Sequence, residues 1–287
     1  MIVTARIAAG REALDSNAGL ILPWWSVSKT VLAAATFRLA EQGRLDLDSP
    51  IADRPFTVRQ LLAHRAGLAD YGGLADYHAA VARGDAAWPP AQLLSKAGAD
   101  RLLFAPGQGW AYSNIGYLLV RQEIERLTDA PLADALHKLV FAPLGLNAFV
   151  VNGPADMRRL AWPGLHGYDP GWVYHGLVVG TAADAAHFMD RLFTTSFLTP
   201  PSLIAMQDSV PLPYAAGDRP FRSPRPGTGL MIDPDGPLGL WLGHSGGGPG
   251  SVCAVYHFPA RRVTVAAFAD HDDSGAIERT VLENVEP

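Results

Sequence analysis

The chain has 287 residues, of which 48% are hydrophobic and 18% are charged. This balance excludes a disordered chain and predicts a compact globular protein. The formal net charge of −5 provides no basic face, which argues against nucleic acid or an anionic membrane as a partner.

The predicted elements begin with a strand over residues 2–8, which alternates weakly and is followed by a turn at Gly10. The apolar run of residues 20–25 favours a second, short strand. Over residues 26–41 the apolar side chains recur at helical spacing, and Gly43 follows as a stop signal.

The middle of the chain is predicted to be mostly helical. Capping residues and apolar spacing predict helices over residues 57–64, from Ser113 or Asn114 to about 127, over 131–141 and over 182–193. Stretches rich in proline and glycine predict long loops near residues 142–180 and 210–229.

The end of the chain changes character. It is predicted to form strands over residues 229–232, 238–244, 251–258 and 263–269, a hairpin turn at 260–262, and a closing helix over 274–285. The single cysteine, Cys253, excludes an internal disulfide. Because it lies in an apolar strand-like run, we expect a small buried residue rather than a reactive thiol.

Strands at both ends of the sequence, with helices between them, predict an α/β (α+β) fold. Adjacent strands tend to pair, so we expect one antiparallel sheet formed from both termini and flanked by helices. The sheet domain would comprise residues 1–25 and 226–287, with a mostly helical domain, 26–225, inserted between them. A ligand is expected in the crevice between these two layers.

The first residues carry no charged segment followed by an apolar stretch, so we predict no signal peptide. No apolar run reaches the ~18 residues that a membrane span needs. With Met1 as the true start, the sequence predicts a cytoplasmic protein, whereas an upstream start would make it periplasmic.

The first of three chemical motifs is Ser26 with Lys29 three positions later. Positions i and i+3 share a helix face, so the amine can lie beside the hydroxyl. A serine is a poor nucleophile until a base takes its proton, and a partly desolvated lysine loses its charge more readily. The alternative is a serine helix cap followed by a solvated lysine.

The second motif combines Tyr112 and Asn114. A tyrosine on a loop can act as a general base or acid if positive neighbours lower its pKa. Asn114 offers a donor and an acceptor, which suits the amide or ester group of a substrate. The alternative is a helix cap, at Ser113 or Asn114, with Tyr112 packed nearby.

The third motif follows a predicted strand and contains His244, Ser245, Gly246 and Gly247. Glycines there let a substrate backbone approach closely, and the N–H of Gly247 can pair with that of Ser26 to hold an oxyanion. A histidine and a small polar residue facing a cleft can bind a carboxylate or relay a proton. The alternative is a glycine-rich turn.

Taken in this order, the three motifs resemble the serine β-lactamase and penicillin-binding-protein superfamily. The similarity is to the branch of class C β-lactamases, DD-peptidases and family VIII esterases. Further stretches that resemble this branch are residues 61–68, 104–117 and 176–184. The resemblance covers most of the chain from about residue 20 onward.

The resemblance implies a serine hydrolase that needs no cofactor and no metal. Ser26 would be the acylated nucleophile, and Lys29 and Tyr112 would share proton transfer, with the identity of the acylation base left open. The backbone amides of Ser26 and Gly247 would form the oxyanion hole.

For substrate binding, the resemblance implies Asn114, His244, Ser245 and Gly246. His244 and Ser245 stand where many relatives have Lys-Thr. A neutral histidine anchors the carboxylate of a β-lactam less strongly than a full positive charge does. The sequence therefore favours an esterase or a D-amino-acid peptidase over a β-lactamase.

Trp24 and Trp25 precede Ser26 where many relatives have glycine or another small residue. One of them either lines the acyl pocket or anchors the core. The segment before Ser26 is also shorter than in relatives, which leaves a reduced sheet or a sheet covered by a partner as alternatives.

The sequence thus predicts two-step acyl transfer on a small ester, amide or peptide. The nine histidines show no zinc-binding spacing, and His64 is expected to fix a loop rather than to catalyse. The alternatives are a penicillin-binding or sensor protein that acylates without efficient turnover, a true class C-like β-lactamase, and a metal-dependent hydrolase. The natural substrate and the oligomeric state are left open.

Overall fold

The computed structural model describes residues 1–15, 17–212 and 217–286. Its strands, in chain order, are β1 (Ile2–Ala8), β2 (Arg11–Leu14), β3 (Leu22–Pro23), β4 (Phe149–Val150), β5 (Val178–Gly180), β6 (Arg225–Pro226), β7 (Met231–Asp233), β8 (Trp241–Gly248), β9 (Ser251–Phe258) and β10 (Val263–Ala269).

Its α-helices are α1 (Val27–Glu41), α2 (Val58–Leu62), α3 (Ala75–Arg83), α4 (Pro90–Lys96), α5 (Asn114–Thr128), α6 (Leu132–Leu136), α7 (Pro154–Met157), α8 (Ala182–Thr194), α9 (Pro200–Gln207) and α10 (Ser274–Glu283). A π-helical turn, His137–Phe141, continues α6, and short 3₁₀ turns span Pro163–Leu165 and Pro170–Trp172. None of the helices within the described ranges combines the length and the apolar character that a membrane crossing requires.

The main sheet joins the two ends of the chain. Seven strands of the described residues form it, in the order β2-β1-β10-β9-β8-β7-β6. β1 runs antiparallel to β10, with Ile2 opposite Ala269 and Ala8 opposite Val263. The predicted antiparallel sheet from both termini is therefore confirmed. The division into domains at residues 25 and 226 stays a prediction.

Helices cover both faces of this sheet. Along β9, Cys253 and Val255 face a core shared with α1 and α8, whereas Ala254 and Tyr256 face a second core closed by α10. Because successive residues of a strand point to opposite faces, β9 is buried along its whole length. The thiol of Cys253 is fully buried, as expected, and donates a hydrogen bond to the carbonyl of Trp24 at 3.2 Å.

A second, smaller sheet was not foreseen. Within the described ranges β3, β5 and β4 form it, and Leu22 lies opposite Gly180. The apolar run of residues 20–25 thus supplies a strand to this sheet and not to the main one. The prediction of a long loop over 142–180 was wrong, because two- and three-residue strands are too short to carry a periodic pattern. Of the loop predicted over 210–229, residues 213–216 lie outside the described residues.

Local capping accounts for several helix starts. The hydroxyl of Ser113 accepts the N–H of Gly116 at 3.1 Å and begins α5. Thr57 and Thr181 each form a capping box, at α2 and α8. The helices predicted at these positions are confirmed, whereas α3, α4, α7 and α9 were not predicted.

Gly229 allows the segment before β7 to pack against α1. Its φ is +82°, and a Cβ there would lie 2.2 Å from the Cβ of Ala33. Its carbonyl accepts the hydroxyl of Thr30 at 2.8 Å, and its N–H donates to the carbonyl of Leu62 at 3.1 Å. The segment is therefore held against α1 one residue beyond Lys29.

We expect Gly229→Ala to lower the free energy of unfolding by about 2–5 kcal/mol, because it adds left-handed strain to overpacking. Gly43→Ala is the matched control, since Gly43 has a φ of +68° but open space around a Cβ, and we expect about 1–2 kcal/mol there. Urea denaturation followed by tryptophan fluorescence measures both. Equal losses in the two variants would contradict the close packing on α1.

Candidate active site

Ser26 directly precedes α1, and its side chain makes no capping hydrogen bond. Its Oγ lies 2.9 Å from Oη of Tyr112 and 3.0 Å from Nζ of Lys29. Lys29 is 0% exposed. The alternative of a serine cap followed by a solvated lysine is therefore wrong, and the structure brings the three predicted catalytic side chains together.

The amine of Lys29 is surrounded by groups that solvate a charge poorly. Nζ lies 5.1 Å from the ring centroid of Tyr112, 5.6 Å from that of Tyr117, and 3.5 Å from Nε2 of His175. Burial lowers the pKa of Lys29 from 10.5 to about 7, although the charge of Asp70 opposes the shift. At neutral pH the uncharged amine is therefore well populated.

Tyr112 is held in place by His64. The N–H of Ala111 donates to the carbonyl of His64 at 3.0 Å, and the N–H of Ser113 donates to its Nδ1 at 3.0 Å. The rings of Tyr112 and His64 lie 4.4 Å apart. His64 thus fixes a loop, as expected. Burial lowers the pKa of His64 and raises that of Tyr112, so that both side chains are neutral.

The glycines of β8 bring this strand of the main sheet next to Ser26. A Cβ at Gly246 would lie 2.5 Å from the backbone N of Ser26, and a Cβ at Gly248 would lie 2.5 Å from the ring of Trp25. Trp25 itself has a φ of +41°, and its Nε1 donates to Oγ of Ser251 at 2.9 Å. Glycine is therefore required at these two positions of β8.

His244 and Ser245 differ in what they present to the cleft. Burial lowers the pKa of His244 to about 3, so its ring is neutral. The hydroxyl of Ser245 bonds to Oη of Tyr256 at 2.8 Å and donates to the buried carboxylate of Glu278. Contacts of a substrate with His244, Ser245 and Gly246 stay predictions.

The side-chain amide of Asn114 is engaged by Asp70. Asp70 accepts the backbone N–H of Asn114 at 2.8 Å and its Nδ2 at 3.2 Å. Asp70 lies two residues beyond the resembling stretch 61–68, and no periodic pattern marked it.

Ser26, Tyr112, Asn114 and the β8 glycines line one cleft of about 580 Å³. Part of its wall is aromatic: the ring of Tyr77 makes edge contacts with Tyr71 at 5.1 Å and with Trp172 at 5.4 Å. Of the two tryptophans before Ser26, Trp25 lines the cleft, whereas Trp24 is fully buried in the core.

The comparisons with known proteins agree with this geometry. The sequence profile of the family described as Beta-lactamase matches residues 8–284. The chain belongs to the beta-lactamase family. This confirms the resemblance that the motifs carry.

Two curated proteins are similar in sequence to this family member. Penicillin-binding protein 4* of Bacillus subtilis (strain 168) is 25% identical over 306 residues, which cover 91% of this chain and 63% of that protein. Esterase EstB of Burkholderia gladioli is 31% identical over 160 residues, 48% of this chain and 40% of that protein. The chain thus spans less than two thirds of the length of these relatives.

Solved structures with the same fold cover nearly the whole chain. A D-stereospecific amidohydrolase from Streptomyces sp. has a TM-score of 0.82 at 24% identity, over 99% of this chain and 93% of that one. The D-amino acid amidase from Ochrobactrum anthropi SV3 has a TM-score of 0.80 at 24% identity, over 99% and 92%. At this identity the similarity establishes the fold.

Two further side chains of this beta-lactamase family member were missed by sequence reasoning. His175, one residue before the resembling stretch 176–184, lines the cleft beside Lys29. Arg219 also lines the cleft, and its guanidinium donates to both carboxylate oxygens of Glu278. In the sequence, His175 is marked only by its position next to a motif. Arg219 is marked only by its position in a predicted loop. Within residues 1–15, 17–212 and 217–286, no group of three or more His, Cys, Asp or Glu side chains is arranged to hold a metal ion.

The lowered pKa of Lys29 makes the stability of Lys29→Met relative to wild type depend on pH. Between about pH 7 and 10.5 the unfolded state holds a proton on this lysine that the folded state has lost. Wild type therefore gains about 1.4 kcal/mol per pH unit over the variant within that range. Urea denaturation of both proteins at pH 8 and pH 9.5 measures the change.

Lys138→Met, at an exposed position, is the control for this measurement. Its difference from wild type is expected to stay the same at both pH values. A constant difference for Lys29→Met as well would mean that the buried amine keeps its charge in the folded protein.

Proposed function

We propose that this beta-lactamase family member is a serine hydrolase that cleaves a small ester or amide through an acyl-enzyme on Ser26. One observation carries the proposal: Oγ of Ser26 lies within 3.0 Å of both Nζ of Lys29 and Oη of Tyr112. A nucleophile with a base and a second proton carrier in hydrogen-bond reach is what acyl transfer requires.

Lys29 is the proposed acylation base. A general base works best when its pKa is close to the working pH, and burial brings the pKa of Lys29 to about 7. Burial has the opposite effect on Tyr112 and raises the pKa of its phenol. Tyr112 therefore remains a phenol, which can pass a proton on but cannot take one from Ser26 without first giving up its own.

The proposed reaction proceeds in two steps. Oγ of Ser26 bonds to the carbonyl carbon while its proton moves to Lys29, and the N–H groups of Ser26 and Gly247 stabilise the oxyanion. The bond to the leaving group then breaks, and the proton of Lys29 reaches that group through Tyr112. Water, giving its proton to Lys29, attacks the acyl carbon in turn; the bond to Oγ then breaks, and Lys29 returns that proton to Oγ, which releases the acid and restores the hydroxyl of Ser26.

The substrate is proposed to be a small amide or ester of an amino acid. The relatives and fold neighbours named as an esterase, a D-stereospecific amidohydrolase and a D-amino acid amidase support this class. The neutral ring of His244 offers no positive charge to the carboxylate of a β-lactam, which supports an ester or amide over a β-lactam.

We expect Ser26→Ala to lower kcat by about 10⁴-fold or more, because the nucleophile is removed. Hydrolysis of p-nitrophenyl acetate and of D-phenylalanine p-nitroanilide measures the loss. A fluorophosphonate should add one label to wild type, detected by intact-protein mass spectrometry, and none to the variant. The exposed Ser95→Ala is the control and should retain both activity and labelling.

Two results would contradict the proposal. Substantial turnover by a folded Ser26→Ala would remove Ser26 from the mechanism. A stable adduct with a penicillin or an ester, without release of product, would instead support a sensor that acylates once.

His175 is proposed to position Lys29. It is 3% exposed, its Nε2 lies 3.5 Å from Nζ of Lys29, and burial lowers its pKa so that the ring stays neutral. A neutral imidazole nitrogen can accept an N–H of the amine, which leaves the lone pair of Lys29 to face Ser26. A base that activates a nucleophile is commonly oriented by a third group in this way.

We expect His175→Ala to lower kcat about tenfold, the equivalent of one hydrogen bond, with little change in KM. Because the variant lets water approach Lys29, the midpoint of kcat against pH should move above 7. His175→Gln, which restores an acceptor, should recover most of kcat and the original midpoint. An unchanged kcat and midpoint in His175→Ala would reduce His175 to a wall residue of the cleft.

A further inference from the structure

The contact between Asp70 and Asn114 determines which atom Asn114 offers to a substrate. The half-buried carboxylate of Asp70 accepts three N–H groups: the backbone N–H of Asn114 at 2.8 Å, its Nδ2 at 3.2 Å, and the backbone N–H of Gly72 at 3.2 Å. An ionised carboxylate has no hydrogen to donate. The nitrogen of the Asn114 amide must therefore face Asp70, and the oxygen must face away.

The oxygen of this amide is available for a ligand. Among the residues that the structure describes, Oδ1 of Asn114 accepts no hydrogen bond, and Asn114 lines the same cleft as Ser26. The side chain thus presents an acceptor to the cleft. An acceptor at this place pairs with an N–H of the substrate and not with a carbonyl oxygen.

The surrounding charges favour a cationic N–H donor. Asp70 places a negative charge directly behind the Asn114 amide. The rings of Tyr71 and Tyr77 line the same cleft, and aromatic rings attract cations. The positive charge of Arg219 is paired with the buried carboxylate of Glu278. The combination of an amide oxygen, a carboxylate behind it and aromatic rings is suited to an ammonium group.

We propose that Asn114, turned by Asp70, binds the free α-ammonium group of the substrate, so that the enzyme acts on amino-acid amides or esters and rejects their N-acylated forms. This rests on the proposed hydrolase function of Ser26. Asn114 is a binding residue in this assignment, and Asp70 is a positioning residue that acts through it. An N-acyl group removes the positive charge and leaves a single N–H where the ammonium group offers three.

Two matched substrates test the assignment: D-phenylalanine p-nitroanilide and its N-acetyl derivative. In wild type we expect kcat/KM to be about 10- to 100-fold higher for the free amine, the range of a hydrogen bond to a charged group. In Asp70→Asn the new amide can donate as well as accept, so Asn114 is no longer held in one orientation. The preference should then fall at least fivefold, mainly through a higher KM for the free amine.

Asp76→Asn is the control, because the side chain of Asp76 is exposed and pairs with Lys96 at the surface. It should keep the wild-type preference. A second measurement uses wild type alone and is valid even if Asp70→Asn fails to fold. The preference should decline as pH rises past the pKa of the substrate amine, about 8, since titration of Lys29 affects both substrates equally and cancels in the ratio.

Equal kcat/KM for the two substrates in wild type, or an unchanged preference in folded Asp70→Asn, would overturn the assignment while leaving the hydrolase function intact. Failure of the hydrolase function has a different signature, namely no Ser26-dependent hydrolysis of either substrate and no fluorophosphonate label. That result would remove both proposals together.

Discussion

The burial of Lys29 as an amine is the constraint on which the rest of the site depends. α1 packs against β8 and β9 of the main sheet and against α5, and the side chain of Lys29 in its first turn is fully buried. A charged lysine there would lose its hydration, and the nearby aromatic rings, the neutral imidazole of His175 and the charge of Asp70 compensate only part of that loss. The fold therefore favours the uncharged form of the Lys29 amine. On an exposed helix, the hydroxyl of Ser26 would instead lie beside a charged lysine.

Placing β8 beside the hydroxyl of Ser26 requires an unusual backbone conformation at Trp25. Trp25 adopts a left-handed conformation that ordinarily favours glycine, at a cost of about 1–2 kcal/mol. The hydrogen bond from its indole to Ser251 and the packing of its ring on Gly248 hold that conformation. Strain of this kind collects at active sites, and here it orients the backbone of Ser26 toward β8 before any substrate arrives. The main sheet and Ser26 are thus connected through Trp25.

The parts that sequence reasoning predicted are those with a local signal. β9 and β10 have the bounds that their mostly apolar runs predict, and α1 begins within one residue of the expected start. Ser26 and Lys29 were found together because helical spacing is a local property. Asp70 and His175 were not, since their importance arises from contacts with residues 44 and 146 positions away. The orientation of the Asn114 amide follows from its contact with Asp70. The sequence alone therefore could not show whether its donor or its acceptor faces a substrate.

The neutral state of His244 is connected to the same electrostatics. Burial is the largest cause of the lowered pKa of His244, and the charge of Lys29 is the next. The charges of the two side chains therefore influence each other, because the buried surroundings screen them little. A permanent cation at 244 would destabilise the charged form of Lys29 further and would itself need a partner. With a neutral ring there, and with the charge of Arg219 matched by Glu278, Asp70 is the charge that acts on Lys29. These charges support the proposed positively charged substrate over the anionic carboxylate of a β-lactam. The neutral ring of His244 and the carboxylate behind Asn114 support the same proposal.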